Sequence, residues 1–281
     1  MLLITGATGY VGSHFLKAIP EHLRRDCLSP SRQEMDLTNA DSVKLYFKTH
    51  SIDRVLHLAA ALDNTDSVSL LNSNISGLYY LLQESKTAEI QHFVFASSNT
   101  VYGTRKAFSI PESQSDCPDA DNHYAVTKYY GELMVKDVLG GFRYTIVRIG
   151  DIYGPHQKVG ALLKAVVKNI VHAEPQRLYG QGDRTRDYIY IDDVVSGLQY
   201  ILEKKLTGVY NLATGVGTDV REIIHIAETL SDCKSPTIPI PVEHEDHSKV
   251  VLDITKLKNA GWAAEVSFKE GLGRIVEEAR R

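Results

Sequence analysis

Short apolar runs alternate with longer stretches of helical periodicity through the first half of the chain. Leu2-Leu3-Ile4-Thr5, Val55-Leu56-His57-Leu58, Phe93-Val94-Phe95-Ala96 and Tyr144-Thr145-Ile146-Val147 have strand composition, and a further short strand is expected at Asp26–Ser29. Between them, Ser42–Thr49 and Asn74–Ser85 suit helices. Strands that are apolar on both faces and separated by helices predict an α/β fold, a doubly wound parallel sheet covered on both sides. After Gly154-Pro155 the rhythm changes. A helical Ala161–Ile170 leads to the apolar run Tyr188–Ile191, then to a helix with Val194, Val195, Leu198, Ile201 and Leu202 on one face. Gly208–Ala213 reads as another strand. Val220, Ile223, Ile224, Ala227 and Leu230 share the face of a second helix, Pro236–Pro241 reads as extended chain, and Phe268–Glu278 as a final helix. The change of rhythm predicts a main domain over 1–154, to which 187–213 returns, and a smaller interleaved domain over 155–281, read as the substrate-binding domain.

Composition narrows the class. A chain of 281 residues, 43% hydrophobic and 23% charged, is neither fibrous nor disordered and can bury a full core. With 31 basic against 35 acidic side chains the net charge is −4, so no global field attracts nucleic acid. Cys27, Cys117 and Cys233 are odd in number, far apart and without CxxC spacing, which argues for structural thiols rather than disulfides, and no metal site is expected. No apolar run reaches the roughly 18 residues of a membrane span, and Met1 leads directly into a strand, so the expected location is the cytoplasm.

The first chemical signal is Thr5-Gly6-Ala7-Thr8-Gly9-Tyr10-Val11-Gly12, with glycines at i, i+3 and i+6 between the first strand and a helix. Glycine permits the tight turn and clears side chains from backbone N–H groups, while the helix amino terminus adds unpaired donors and positive dipole. Together they make a phosphate cradle, so 1–154 is read as a dinucleotide-binding domain of Rossmann type. The acidic residue that usually ends the second strand and holds the adenine ribose is missing; Ser29-Pro30-Ser31-Arg32 stands there instead. Arg32 could bind a 2′-phosphate or be a surface arginine, which leaves NAD and NADP open. Asp36, in Met35-Asp36-Leu37, is placed to accept from the adenine amino group.

The second signal is Tyr124-Ala125-Val126-Thr127-Lys128, opening a helix that runs to about Val138. Four residues apart, Tyr124 and Lys128 share a face. A phenol titrating near ~10 is a poor base at neutral pH, and lowering it by ~3 units takes about 4 kcal/mol, within reach of two nearby cations. The strand Phe93–Ala96 ends in Ser97-Ser98-Asn99-Thr100-Val101-Tyr102-Gly103, and the carboxyl ends of parallel strands are where α/β ligands sit. A hydroxyl there could polarise a reacting C–O bond.

The set Gly6/Gly9/Gly12, His57-Leu58-Ala59-Ala60, Ser97-Ser98-x-x-Val101-Tyr102-Gly103, Tyr124-x-x-x-Lys128 and Tyr153-Gly154-Pro155 resembles the extended short-chain dehydrogenase/reductase family. The likeness is to its nucleotide-sugar branch of 4-epimerases, 4,6-dehydratases and 4-keto-sugar reductases. It continues through Leu178-Tyr179-Gly180-Gln181-Gly182, Arg186-Asp187-Tyr188-Ile189-Tyr190-Ile191-Asp192-Asp193, Tyr210–Gly215 and Leu252–Lys256, ending near Gly261-Trp262. The resemblance implies Tyr124 as acid/base, Lys128 on the nicotinamide ribose and Ser98 as hydroxyl partner. It also implies Asn74 and Leu58-Ala59-Ala60 near an NAD(P) cofactor, and Asn99, Thr100, Asp151, Tyr179 and Arg186 near substrate. Arg186 either meets a substrate diphosphate or pairs with Asp187 or Asp192. The substrate implied is a nucleotide sugar and the assembly a homodimer formed through the helices Asn74–Ser85 and Tyr124–Val138.

Some positions depart from the family pattern. Asn99 and Thr100 replace the acids a dehydratase needs, so dehydration is disfavoured. Asp151 and Glu243 stand where relatives present Asn and Arg to phosphates, which asks for compensation by Lys249 or another cation, or for a substrate with less phosphate. His156 is read as a loop residue. The leading expectation is a 4-epimerase working through a 4-keto intermediate. The alternatives are an NADPH-dependent 4-keto-sugar reductase, a dehydrogenase of a free sugar or sugar acid, and a non-catalytic NAD(P)-sensing regulator.

Overall fold

In the computed structural model, which describes residues 1–104, 106–113, 119, 122–157 and 161–280, six parallel strands form the main sheet. Their spatial order is Gly208–Leu212, Tyr144–Ile149, His92–Ser98, Arg54–His57, Leu2–Thr5, Cys27–Leu28. The alternation of side chains explains why both faces are covered. Leu3, Val55, Phe93, Phe95 and Ile146 join a core with Val43, Leu78, Leu81, Leu82 and Val135 from the helices Ala40–Thr49, Gly77–Thr87 and His123–Val138, and with Leu139 just past the last of them. The intervening Ile4, Leu56, Val94 and Val147 are equally buried. Strand order reverses between Leu2–Thr5 and Arg54–His57, since the chain first crosses to Cys27–Leu28 and then returns. Ligands of such sheets bind outside the carboxyl ends at that reversal.

The chain separates into two units. The first holds Met1–Gly103, Glu112–Ile149 and Val195–Leu212; the second holds Thr104–Pro111, Gly150–Val194 and Ala213–Arg281. In the second, the strands Gly217–Asp219, Thr185–Tyr190, Lys249–Leu252 and Lys106–Ile110 lie side by side, and Asp151–Tyr153 pairs with Thr185–Tyr190. The helices Ala161–Val171, Val220–Ser231 and Phe268–Ala279 pack on one another there.

Two local expectations are corrected. The second strand is only Cys27–Leu28, because Pro30 offers no N–H and holds Ser29 out of further pairing. The helix expected over Asn74–Ser85 starts earlier, as Ser67–Leu70, and passes through a π-helical turn at Leu71–Ser76 before Gly77–Thr87. Asn74 therefore sits in the wide turn, not in a regular helix. The strand Lys106–Ile110 was not anticipated. Cys117 falls outside the described residues.

Candidate active site

The glycine loop is shaped by backbone approaching backbone. Gly6 has φ +71°, and a Cβ there would lie 2.6 Å from the Ala59 nitrogen. A Cβ on Gly12 would lie 2.3 Å from the Gly6 carbonyl oxygen and 2.7 Å from the Ala7 Cα. The Gly9 N–H donates to that same Gly6 oxygen at 3.0 Å. Gly9 then caps the helix Tyr10–Ala18 with no side-chain acceptor and no acid in the first turn, so the positive end of the helix is left for a ligand. Thr8 and Gly9 are exposed and Tyr10 and Val11 half-buried on this rim.

The neighbouring strand end is braced by buried polar pairs. Thr5 Oγ1 meets His57 Nδ1 at 2.7 Å, and the His57 ring stacks on Phe95 at 5.9 Å. Burial, helped by the Lys128 charge, pushes His57 down to about 3. Leu58, Ala59 and Ala60 follow, half-buried. Asn74 then ties this loop to the next helix. Its Oδ1 accepts from the Ala61 N–H at 2.8 Å, and its Nδ2 donates to the Ala61 carbonyl and to Thr127 Oγ1, each at 3.0 Å.

Tyr124, Lys128 and Ser98 come together at the carboxyl end of His92–Ser98. The Tyr124 hydroxyl faces Ser98, whose Oγ donates to Asn99 Oδ1 at 3.3 Å and accepts from the Thr100 N–H at 3.2 Å and the Thr100 hydroxyl at 3.0 Å. Lys128 is buried, donates to the Ala96 carbonyl at 2.8 Å, and lies 5.9 Å from the centre of the Tyr124 ring. Desolvation pushes Tyr124 up to about 12, with Ser98 working the other way, and pushes Lys128 down to about 8. The ammonium one turn away therefore does not by itself make the phenol acidic. Asn99 is buried and Thr100 half-buried beside Ser98. One turn beyond Lys128, Glu132 accepts from Ser97 Oγ at 2.7 Å and from Arg148 Nε and Nη2 at 2.9 and 2.7 Å. Motif and periodicity alone do not find this group; its only signal is an arginine inside an apolar strand and a glutamate on the buried face of a helix.

The remaining expected residues have other surroundings. Arg32 is 78% exposed and 3.6 Å from Asp36, whose other oxygen accepts from the Thr38 N–H and hydroxyl at 2.9 and 2.7 Å. Those Thr38 bonds hold the Asp36 carboxyl below its usual range. Ser31 and Leu37 are half-buried nearby in the chain. Asp151, Tyr179 and Arg186 belong to the second unit. Arg186 pairs with neither Asp187 nor Asp192; its Nη2 lies 3.5 Å from Asp246. Asp187 instead accepts from Thr214, Gly215 and Leu252 backbone N–H groups, and Asp192 pairs with Arg274 at 3.0 Å. Desolvation, with the Arg184 charge, lowers Arg186, and the Asp151 carboxylate opposes both. Tyr179 and Glu243 are exposed. His156 is a surface residue with φ +58° whose Nδ1 meets Glu278 at 2.8 Å.

A glycine-rich turn at the switch point and a Ser-Tyr-Lys group on an adjoining strand and helix match a Rossmann-type protein of the extended short-chain dehydrogenase/reductase class. The chain belongs to the NAD dependent epimerase/dehydratase family, whose profile matches residues 2–213. It is 30% identical to the UDP-glucuronate 4-epimerase of Thermodesulfobacterium geofontis, over 86% of this chain and 77% of that protein. It is 26% identical, over 98% of its length, to a trifunctional UDP-glucose 4,6-dehydratase/UDP-4-keto-6-deoxy-D-glucose 3,5-epimerase/UDP-4-keto-L-rhamnose-reductase of Arabidopsis thaliana, of which it spans 46%. Among solved structures it resembles the Thermus thermophilus UDP-glucose 4-epimerase in complex with NAD, with TM-score 0.79 and 26% identity over 99% of this chain and 98% of that chain.

Proposed function

We propose that this chain is an NAD(P)-dependent nucleotide-sugar 4-epimerase in which Tyr124 exchanges a proton with the C4 hydroxyl of the sugar. The observation that carries the reading is Tyr124 set against Ser98, with Lys128 buried one helical turn away and donating to the Ala96 carbonyl at a parallel strand end. The uncapped helix behind Gly9 suits a pyrophosphate, with Thr8, Gly9, Tyr10, Val11 and Gly12 around it. Asp36 and Leu37 would face the adenine, and Lys128 the nicotinamide ribose. When bound there, a nicotinamide dinucleotide supplies acceptance and return of hydride and a positive ring near the phenol. Tyr124, held protonated in the protein alone, is ready as an acid. Acting as a base at neutral pH from about 12 asks for roughly 7 kcal/mol, more than a free phenol needs. Ser98 shares the proton and orients the sugar oxygen, and Lys128 keeps positive charge close. Epimerisation follows when the 4-keto sugar takes hydride back on its other face.

A 4-keto-sugar reductase uses the same groups for one transfer. The feature favouring it is the strand Cys27–Leu28, followed by Ser29 rather than a carboxylate, with Arg32 exposed beyond it. Incubation with UDP- and TDP-hexoses separates the two: 4-epimeric product with no net change in nicotinamide absorbance supports the epimerase, and net NADPH consumption overturns it. We place the protein in the cytoplasm, in keeping with three cysteines that are odd in number and far apart in the sequence. We assign it a homodimeric state. Val68, Leu71 and Tyr79 before and on one helix, and Val126, Tyr130 and Leu133 on His123–Val138, are large apolar side chains left exposed.

A further inference from the structure

The helix His123–Val138 is pinned to the strand His92–Ser98 at successive turns. Tyr124 reaches the Ser98 hydroxyl, Lys128 the Ala96 carbonyl, and Glu132 the Ser97 hydroxyl. Gly131 permits the approach, because a Cβ there would lie 2.9 Å from the Phe95 ring. Glu132 and Arg148 are both essentially without solvent exposure, and Ser97 pairs in register with Arg148 across adjacent strands. A buried ion pair of this kind is replaceable by apolar side chains at little cost in stability, so stability alone does not account for its charge. The carboxylate stands one turn beyond Lys128 on the same face of the same helix.

We propose that Glu132, clamped by Arg148 and Ser97, is a positioning residue whose carboxylate keeps Lys128 in its ammonium form and fixes the Ala96–Ser98 strand end against the helix bearing Tyr124. The inference rests on the role given to Lys128 above. Burial drives Lys128 toward the neutral amine, and Glu132 opposes that. The other titratable groups facing Lys128 are Tyr124, protonated, and His57 on the neighbouring strand, held neutral by burial. Neither supplies an anion. Among the described residues, Arg148 at 2.7 Å and Lys136 at 4.0 Å are the cations paired with the carboxylate.

The test compares the full-length wild type with Glu132→Gln, Arg148→Gln and the double variant. Lys128 is titrated by side-chain nitrogen NMR without cofactor, and turnover of UDP-hexose with NAD(P) is followed against pH. Glu132→Gln lowers the Lys128 midpoint by about one pH unit and moves the alkaline limb of kcat/KM down with it. Arg148→Gln breaks the same ion pair but keeps the carboxylate, and does not lower the midpoint. The double variant lowers it as Glu132→Gln does and leaves no lone buried charge, so it decides the matter where a single variant fails to fold. An unmoved midpoint in folded Glu132→Gln or in the double variant overturns the proposal, as does an equal lowering by both single variants. The NMR readout needs no substrate: a shifted midpoint in a protein with no wild-type turnover would sink the epimerase reading and leave the electrostatic link between Glu132 and Lys128 standing.

Discussion

Replacing Gly12 by alanine puts a methyl group into the tightest point of the glycine loop to which the pyrophosphate is assigned. The new carbon would stand 2.3 Å from the Gly6 carbonyl oxygen, 2.9 Å from the Gly6 carbonyl carbon and 2.7 Å from the Ala7 Cα. All are backbone atoms, so no rotamer change relieves the overlap, and the loop must move by most of an ångström. Overpacking of this kind costs roughly 1–3 kcal/mol, which for a chain of this size lowers the melting temperature by about 2–6 °C. The larger consequence is for the ligand. Displacing the Gly6 carbonyl shifts the Gly9 N–H bonded to it and the start of the helix Tyr10–Ala18, the groups assigned to the pyrophosphate. Loss of one well-aligned charged hydrogen bond weakens NADH binding at least about tenfold. Gly141→Ala is the matched control: φ is +91° and nothing lies within 4 Å of the added carbon, so it costs backbone strain of about 1 kcal/mol and leaves binding intact. Thermal unfolding and NADH fluorescence titration read both. A Gly12→Ala protein that binds NADH as the wild type does would refute the cradle.

Tyr124→Phe should lower turnover of UDP-hexoses by ~10²–10⁴ while dinucleotide affinity and melting temperature hold; turnover within a few-fold of wild type removes Tyr124 from the chemistry. Arg32→Ala should leave stability unchanged, since its pair with Asp36 is exposed, and should shift the NAD to NADP affinity ratio; a constant ratio removes Arg32 from cofactor choice. Unfolded His57 titrates near 6.5 but the folded ring refuses its proton until about 3, so stability is full above 6.5 and falls as pH drops through that window. His57→Gln should flatten this acid slope by up to about 1.4 kcal/mol per pH unit, measured by urea unfolding, and an unchanged slope counts against the buried neutral imidazole. Leu71→Asp with Leu133→Asp should sediment as monomer where the wild type is a dimer; a monomeric wild type ends the pairing proposal.

Periodicity made the parallel sheet legible, because a strand buried on both faces has to be largely apolar, as Leu2–Ile4 and Phe93–Ala96 are. It also put Tyr124 and Lys128 on one face, since helical spacing alone settles that. What stayed hidden depends on long-range partners. Glu132 falls on the helix face shared by Tyr124 and Lys128, but its partner shows only when Arg148 arrives from a strand 16 residues later. Arg186 stands next to Asp187 in the chain, yet adjacent residues of a strand point to opposite faces, and it turns to Asp246 instead. The π-helical turn at Leu71–Ser76 carries no composition cue, although it is what lets buried Asn74 reach both Ala61 and Thr127. Strand Lys106–Ile110 is short and pairs with Lys249–Leu252, far away in sequence.

The edge strand Gly208–Leu212 closes the main sheet, yet the ribosome delivers it after Gly150–Val194 of the other unit. Until it emerges, Tyr144–Ile149 offers one unpaired row of amides and carbonyls to any passing chain. A truncated chain ending near Ile149 would keep that sticky border permanently, so the nucleotide-binding half is poorly suited to expression by itself, and nascent chains of intermediate length are the stage most in need of chaperones.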